Sequence, residues 1–220
     1  MTTAIGEIVR NGILFDVKNW NQEMTYSDDF VQSIDQLFDT LGARNINYVL
    51  VGGVALLSYV EGRNTQDIDL ILSQSDLEAL PEIVVSQQNQ DFIRGQLNRL
   101  QIDILLTQNA LFKKMTQQYV TSRQFGDRTV RCVTVDGLVI LKFYALPSLY
   151  GQGQFDRASL YENDILLLLL SYSVDLDAAF RVLTAHILPS DLTEVRAIAS
   201  EIDAKIKRFA IQKKKLEEEP

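Results

Sequence analysis

The sequence predicts an α/β (α+β) fold, a mixed central sheet flanked by helices, followed by a C-terminal helical region. Three observations predict it. Short β-branched and apolar runs recur between helical stretches as far as residue 135. Beyond that point every patterned stretch has helical spacing. A chain of 220 residues that is 46% hydrophobic is also long enough to bury a substantial core.

The elements follow in order. Phe30, Ile34, Leu37, Phe38 and Leu41 recur at helical spacing, with Ser27 or Asp28 to cap the start and Gly42 to end it. Residues 48–51 form a short apolar strand running into a Gly52-Gly53 turn, and residues 54–59 a short helix. In residues 67–72 acidic side chains alternate with apolar ones before the run becomes wholly apolar, the mark of a half-buried strand. Residues 75–80 are expected to be helical up to Pro81. Residues 91–107 predict two strands about a turn at Arg94-Gly95, with Leu100, Ile102, Ile104 and Leu106 on one parity and Asp103 on the other. A strand over 129–135 leads to a helix capped by Asp136 and ended by Pro147. Residues 150–155 form a glycine-rich connection, after which helices are expected over 162–172, 175–187 and 191–215. Asp164 reads as an N-cap, and Val195, Ile198, Ile202, Ile206 and Phe209 line one stripe of the last helix. Residues 1–25 carry no pattern that fixes an element. The expected division is a core over 1–135 and a helical region over 136–220.

Composition excludes several classes. One cysteine, Cys132, forms no intramolecular disulfide and points to a reducing cytoplasm, and one cysteine with one histidine does not make a structural zinc site. The longest apolar run, residues 165–170, falls far short of the ~20 residues that span a bilayer, so no membrane partner is expected. A formal charge of −8 opposes a broad electrostatic grip on nucleic acid. Local basic patches remain at Lys113-Lys114, at Arg123, Arg128 and Arg131, and in residues 205–215. In the tail, Lys213, Lys214 and Lys215 precede Glu217, Glu218 and Glu219 by four residues each, the spacing of a solvated, self-paired helix face. His186 and Cys132 sit among apolar neighbours and read as packed side chains.

Chemistry concentrates in three carboxylates. On a strand, Asp67 and Asp69 project from one face roughly 7 Å apart along the backbone, and they repel unless a cation lies between them. Asp103, from another strand, would make this a hard, oxygen-rich site suited to magnesium, whose shell phosphate oxygens complete. The Gly52-Gly53 corner offers backbone N–H groups at a helix start, where a triphosphate can lie. Either feature alone is commonplace; their order and spacing together are sharper.

The run Val51-Gly52-Gly53-Val54-Ala55-Leu56, followed by Gly62-Arg63-x-Thr65-x-Asp67-Ile68-Asp69-Leu70, resembles the signature of the minimal nucleotidyltransferase superfamily, especially its AbiEii-like, toxin–antitoxin-type branch. Asp103, in Leu100-Gln-Ile-Asp103-Ile-Leu, falls where that family places its late carboxylate. The resemblance covers roughly residues 48–170. It implies a nucleotidyltransferase fold, with Asp67, Asp69 and Asp103 holding two magnesium ions, or manganese in their place. Asp103 would also accept the proton of the attacking hydroxyl. Gly52, Gly53 and Ser58 would line the phosphate side, Arg63 and Thr65 would contact the triphosphate or shape its loop, and Lys142 would face the nucleotide. The basic–acidic pair that relatives show after the Lys142 helix is not retained clearly in Arg157-Ala-Ser-Leu-Tyr161-Glu-Asn-Asp164.

The expected activity is transfer of a nucleoside monophosphate from an NTP to an acceptor that the sequence does not name: RNA such as a tRNA end, a protein, or a small molecule. An antitoxin-like protein is a further expected partner. The alternatives are a non-catalytic module that binds nucleotide or a partner in the same pocket, and a phosphohydrolase with water as acceptor.

Overall fold

The computed structural model describes residues 4–8, 28–61 and 65–218. Two compact units result, Met1–Thr134 and Val135–Pro220.

The first unit is built on a seven-stranded mixed sheet of order β3-β4-β5-β2-β1-β7-β6. Its strands are β1 (Val49–Val51), β2 (Asp67–Leu72), β3 (Val84–Gln88), β4 (Phe92–Leu97), β5 (Leu100–Leu106), β6 (Val120–Phe125) and β7 (Arg128–Val133). Strand β2 runs antiparallel to β1 and parallel to β5, and β5 pairs antiparallel with β4. The pleat sorts the side chains. Leu50, Ile68, Leu70, Ile102, Ile104 and Ile93 share one parity and are buried. Helix α1 (Asp28–Ala43) packs against β5 and contributes buried Ile34, Leu37, Phe38 and Leu41. The opposite parity carries Asp67, Asp69 and Asp103.

Between the strands lie α2 (Gly52–Leu57), α3 (Gln74–Glu78) and α4 (Ala110–Gln118). Ser73 and Asn109 cap α3 and α4, accepting from Asp76 N and from Leu111 and Phe112 N. The second unit comprises α5 (Val135–Gly151), α6 (Phe155–Ser171), α7 (Leu176–Leu183) and α8 (Pro189–Glu218). Of the expected stripe on α8, Val195 and Ile202 are buried and Phe209 is exposed. No helix among the described residues is long and apolar enough to cross a membrane.

Several sequence expectations need correction. The hairpin before Asp103 turns at Asn98-Arg99, because Leu97 pairs with Leu100. Asn98 adopts φ 56°, a left-handed conformation that asparagine tolerates better than most residues. Arg94 and Gly95 therefore lie inside β4. Strand β3 is an edge exposed along its whole length, so no alternation in the sequence marks it. Pro147 does not end α5, which continues to Gly151 with Leu146 and Leu149 buried on either side of it. Helix α6 starts at Phe155, so Asp164 is a buried residue of its interior rather than an N-cap.

Candidate active site

The register of β2 and β5 brings the acids together. Asp67 pairs with Gln101 and Asp69 with Asp103, and parallel partners in register point to the same face. Asp67, Asp69 and Asp103 each offer a carboxylate oxygen, and the three oxygens lie within 4.8 Å of one another. Asp103 is buried, whereas Asp67 and Asp69 are half-buried. Three such charges on one wall repel strongly unless a cation offsets them.

The glycine corner abuts this cluster. Val51 at the end of β1 pairs with Asp69, and the chain then turns into α2 through Gly52 at φ 64°. A β-carbon at Gly52 would fall 1.8 Å from Asp69 Oδ2, so glycine is required by both backbone and space. Gly53 N lies 3.4 Å from the same oxygen and donates a long hydrogen bond to it. Thr65 is buried and its hydroxyl donates to Asp67 Oδ1 at 2.9 Å, which fixes the orientation of that carboxylate.

A cation already faces the acids. Arg94 pairs with Asp103 across β4 and β5, and its Nε and one terminal nitrogen donate to Asp103 Oδ1 and Oδ2 at 2.8 and 2.6 Å. The hydrogen bond to Asp103 raises the Arg94 pKa, burial opposes the rise, and the charges of Asp103, Asp67 and Asp69 add to it. The donor set fits a hard divalent ion, since it is all oxygen, lies on one face and draws positive charge to itself.

Solved structures share this arrangement of elements. The crystal structure of an antigenic nucleotidyltransferase-like protein from Paracoccidioides brasiliensis matches at a TM-score of 0.54 and 14% identity, over 80% of this chain and 91% of that one. The chain has a nucleotidyltransferase-like fold. The crystal structure of ANT(2″)-Ia in complex with adenylyl-2″-tobramycin matches at a TM-score of 0.50 and 15% identity, over 81% of this chain and 99% of that one. No family model and no curated protein matches the sequence.

Within this nucleotidyltransferase-like fold the other expected site residues have definite places. Ser58 caps the end of α2; its hydroxyl donates to Ala55 O at 2.7 Å and accepts from Arg123 Nε at 3.3 Å. Arg123 also donates to the Ser58 carbonyl and lies over the Tyr59 ring, 4.3 Å from its centroid, while the Tyr59 hydroxyl donates to Val133 O at 2.8 Å. Lys142 is buried in α5 and donates to Asp164 Oδ2 of α6 at 2.6 Å, with its ammonium 4.3 Å from the Tyr161 ring centroid. Arg63 lies outside the described residues.

Arg94 was missed by sequence reasoning. The signal was present: placing the turn at Asn98-Arg99 puts Arg94 opposite Asp103. Assigning Arg94 itself to the turn hid it.

Proposed function

We propose that this protein is a metal-dependent nucleotidyltransferase that moves a nucleoside monophosphate from an NTP to a hydroxyl-bearing acceptor. One observation carries the reading: Asp67, Asp69 and Asp103 converge beside a corner that only glycine fits. Asp67, Asp69 and Asp103 would hold magnesium or manganese, which when bound activates the attacking oxygen and stabilises the leaving pyrophosphate. Thr65 orients Asp67, and Gly52 and Gly53 give the triphosphate an approach without β-carbons. The acceptor oxygen bonds to the α-phosphorus as the bond to the bridging oxygen breaks, pyrophosphate leaves with that electron pair, and Asp103 receives the hydroxyl proton.

The motif over residues 51–70 supports an AbiEii-like subtype within this reading, with an antitoxin-like protein as a partner to be sought, and the single cysteine supports a cytoplasmic setting. Small hydroxyl-bearing molecules form the first acceptor panel, since the ANT(2″)-Ia structure is a complex with adenylyl-2″-tobramycin. RNA and protein acceptors complete the panel.

Purified protein incubated with each labelled NTP, Mg²⁺ and these acceptors is expected to release pyrophosphate and label one acceptor class. Asp67→Ala and Asp69→Ala should abolish turnover while the protein stays folded. Full activity in either variant would overturn the assignment. The hold of Arg94 on both oxygens of Asp103 favours a second reading, a nucleotide-binding module without turnover. Nucleotide binding with no pyrophosphate released under any condition would select it.

A further inference from the structure

We infer that Arg94 is a positioning residue that competes with the divalent cation for Asp103, so that cation entry requires the guanidinium to leave the third carboxylate. The inference rests on the metal-site reading above and adds a gate to it. Both oxygens of Asp103 accept from Arg94, at 2.8 and 2.6 Å, and Gln101 Nε2 stands 3.5 Å from Oδ1. Lone pairs remain on that carboxylate, but the guanidinium opposes a second cation there. A dication on the same group would sit within a few ångströms of a guanidinium that cannot shed its proton.

Exposure decides which partner moves. The Asp103 side chain is 4% exposed and held between two strands, whereas the Arg94 side chain is 28% exposed and reaches solvent from β4. Phe92 lies on the same face of β4, its ring centroid 5.6 Å from Arg94 Cζ, and offers an aromatic surface along which the guanidinium can withdraw. Paired with Asp103, Arg94 offsets one of the three negative charges and keeps that carboxylate oriented. When the ion binds, that service is redundant and the guanidinium is released.

A purely structural ion pair and a gate differ in one measurable respect. Removing a positive charge beside the acids raises cation affinity under either reading, so the charge-keeping R94K carries the distinction: a competitor for Asp103 predicts tighter binding in R94K as well, and a fixed ion pair does not. Full-length wild type, R94Q and R94K are to be titrated with Mn²⁺ in the absence of nucleotide, by calorimetry and by the electron paramagnetic resonance of free Mn²⁺. R94Q is expected to bind Mn²⁺ about tenfold tighter than wild type, ~1.4 kcal/mol, with R94K between them.

Unchanged or weaker Mn²⁺ binding by a folded R94Q or R94K overturns the gate while leaving the metal site standing. Absence of Mn²⁺ binding in wild type and R94Q alike sinks the metal site and the gate with it. Binding by R94Q and R94K but not by wild type is the strongest support for the gate. Should R94K fail to fold, wild type labelled with ¹⁵N arginine carries the test. The Arg94 Nε–H resonance is expected to shift and lose exchange protection as Mg²⁺ saturates the site, and an unmoved resonance at saturation overturns the inference.

Discussion

At the scale of single residues, the site depends on groups that shape carboxylates as much as on the carboxylates themselves. Gly52 combines a left-handed backbone with a β-carbon position 1.8 Å from Asp69 Oδ2. Gly52→Ala is therefore expected to cost more than the ~1–2 kcal/mol of a left-handed alanine and to displace Asp69. Chemical denaturation reads the first effect and Mn²⁺ titration the second. Thr65 contributes one hydrogen bond, to Asp67 Oδ1. Thr65→Val should cost about 0.5–1.5 kcal/mol of stability, and more in turnover than in folding because Asp67 loses its orientation. Cys132 is buried, and burial pushes its thiol up to about 12. Cys132→Ser should leave turnover near wild type, and iodoacetamide should not label the native protein near neutral pH.

At the scale of elements, α5 and α6 are joined through the buried pair of Lys142 and Asp164. Lys142→Met takes the ammonium away from a buried carboxylate and is expected to destabilise by about 3–5 kcal/mol, whereas Lys142→Met with Asp164→Leu should recover most of that loss. A double-mutant cycle by denaturant unfolding measures the difference. The hairpin of β4 and β5 shows how far elements were legible. Alternation in residues 100–106 gave β5 and the facing of Asp103, because a half-buried strand must alternate. The turn was not legible: Asn98-Arg99 contains no glycine, while Arg94-Gly95 does. Gly95 serves another purpose, since a β-carbon there would meet Ile83 Cγ2 at 2.6 Å. It lets β3 lie close, which is a packing demand rather than a turn. Pro147 misled in the same way, as packing on both sides of it outweighs the ~3 kcal/mol a helix-interior proline costs.

At the scale of the whole molecule, titration sets an alkaline limit. The Cys132 thiol is raised from 9.0 to about 12 by burial, against smaller lowering contributions from Ser58, Arg123 and Val133. The folded state thus holds a proton that the unfolded chain releases, so this stability is full below pH 9.0 and is lost as pH rises toward about 12. Tyr150, raised from 10.0 to about 12 chiefly by its hydrogen bond to Glu162, contributes with the same sign from pH 10.0 upward. Thermal melts between pH 8 and 11 are expected to fall, less steeply in Cys132→Val.

The sequence by itself determined the alternation that makes β2 and β5, the glycine corner after β1, and the three aspartates, because strand pleat and glycine conformational freedom are local properties. It also determined the class of ion those aspartates suit, since donor chemistry belongs to the side chains. Only the tertiary structure decided which cation stands on Asp103 and which carboxylate holds Lys142. Both partnerships cross between elements, Arg94 to Asp103 at a separation of 9 residues and Lys142 to Asp164 at 22. A shift of one residue in a turn or a helix start would have assigned each charge a different neighbour.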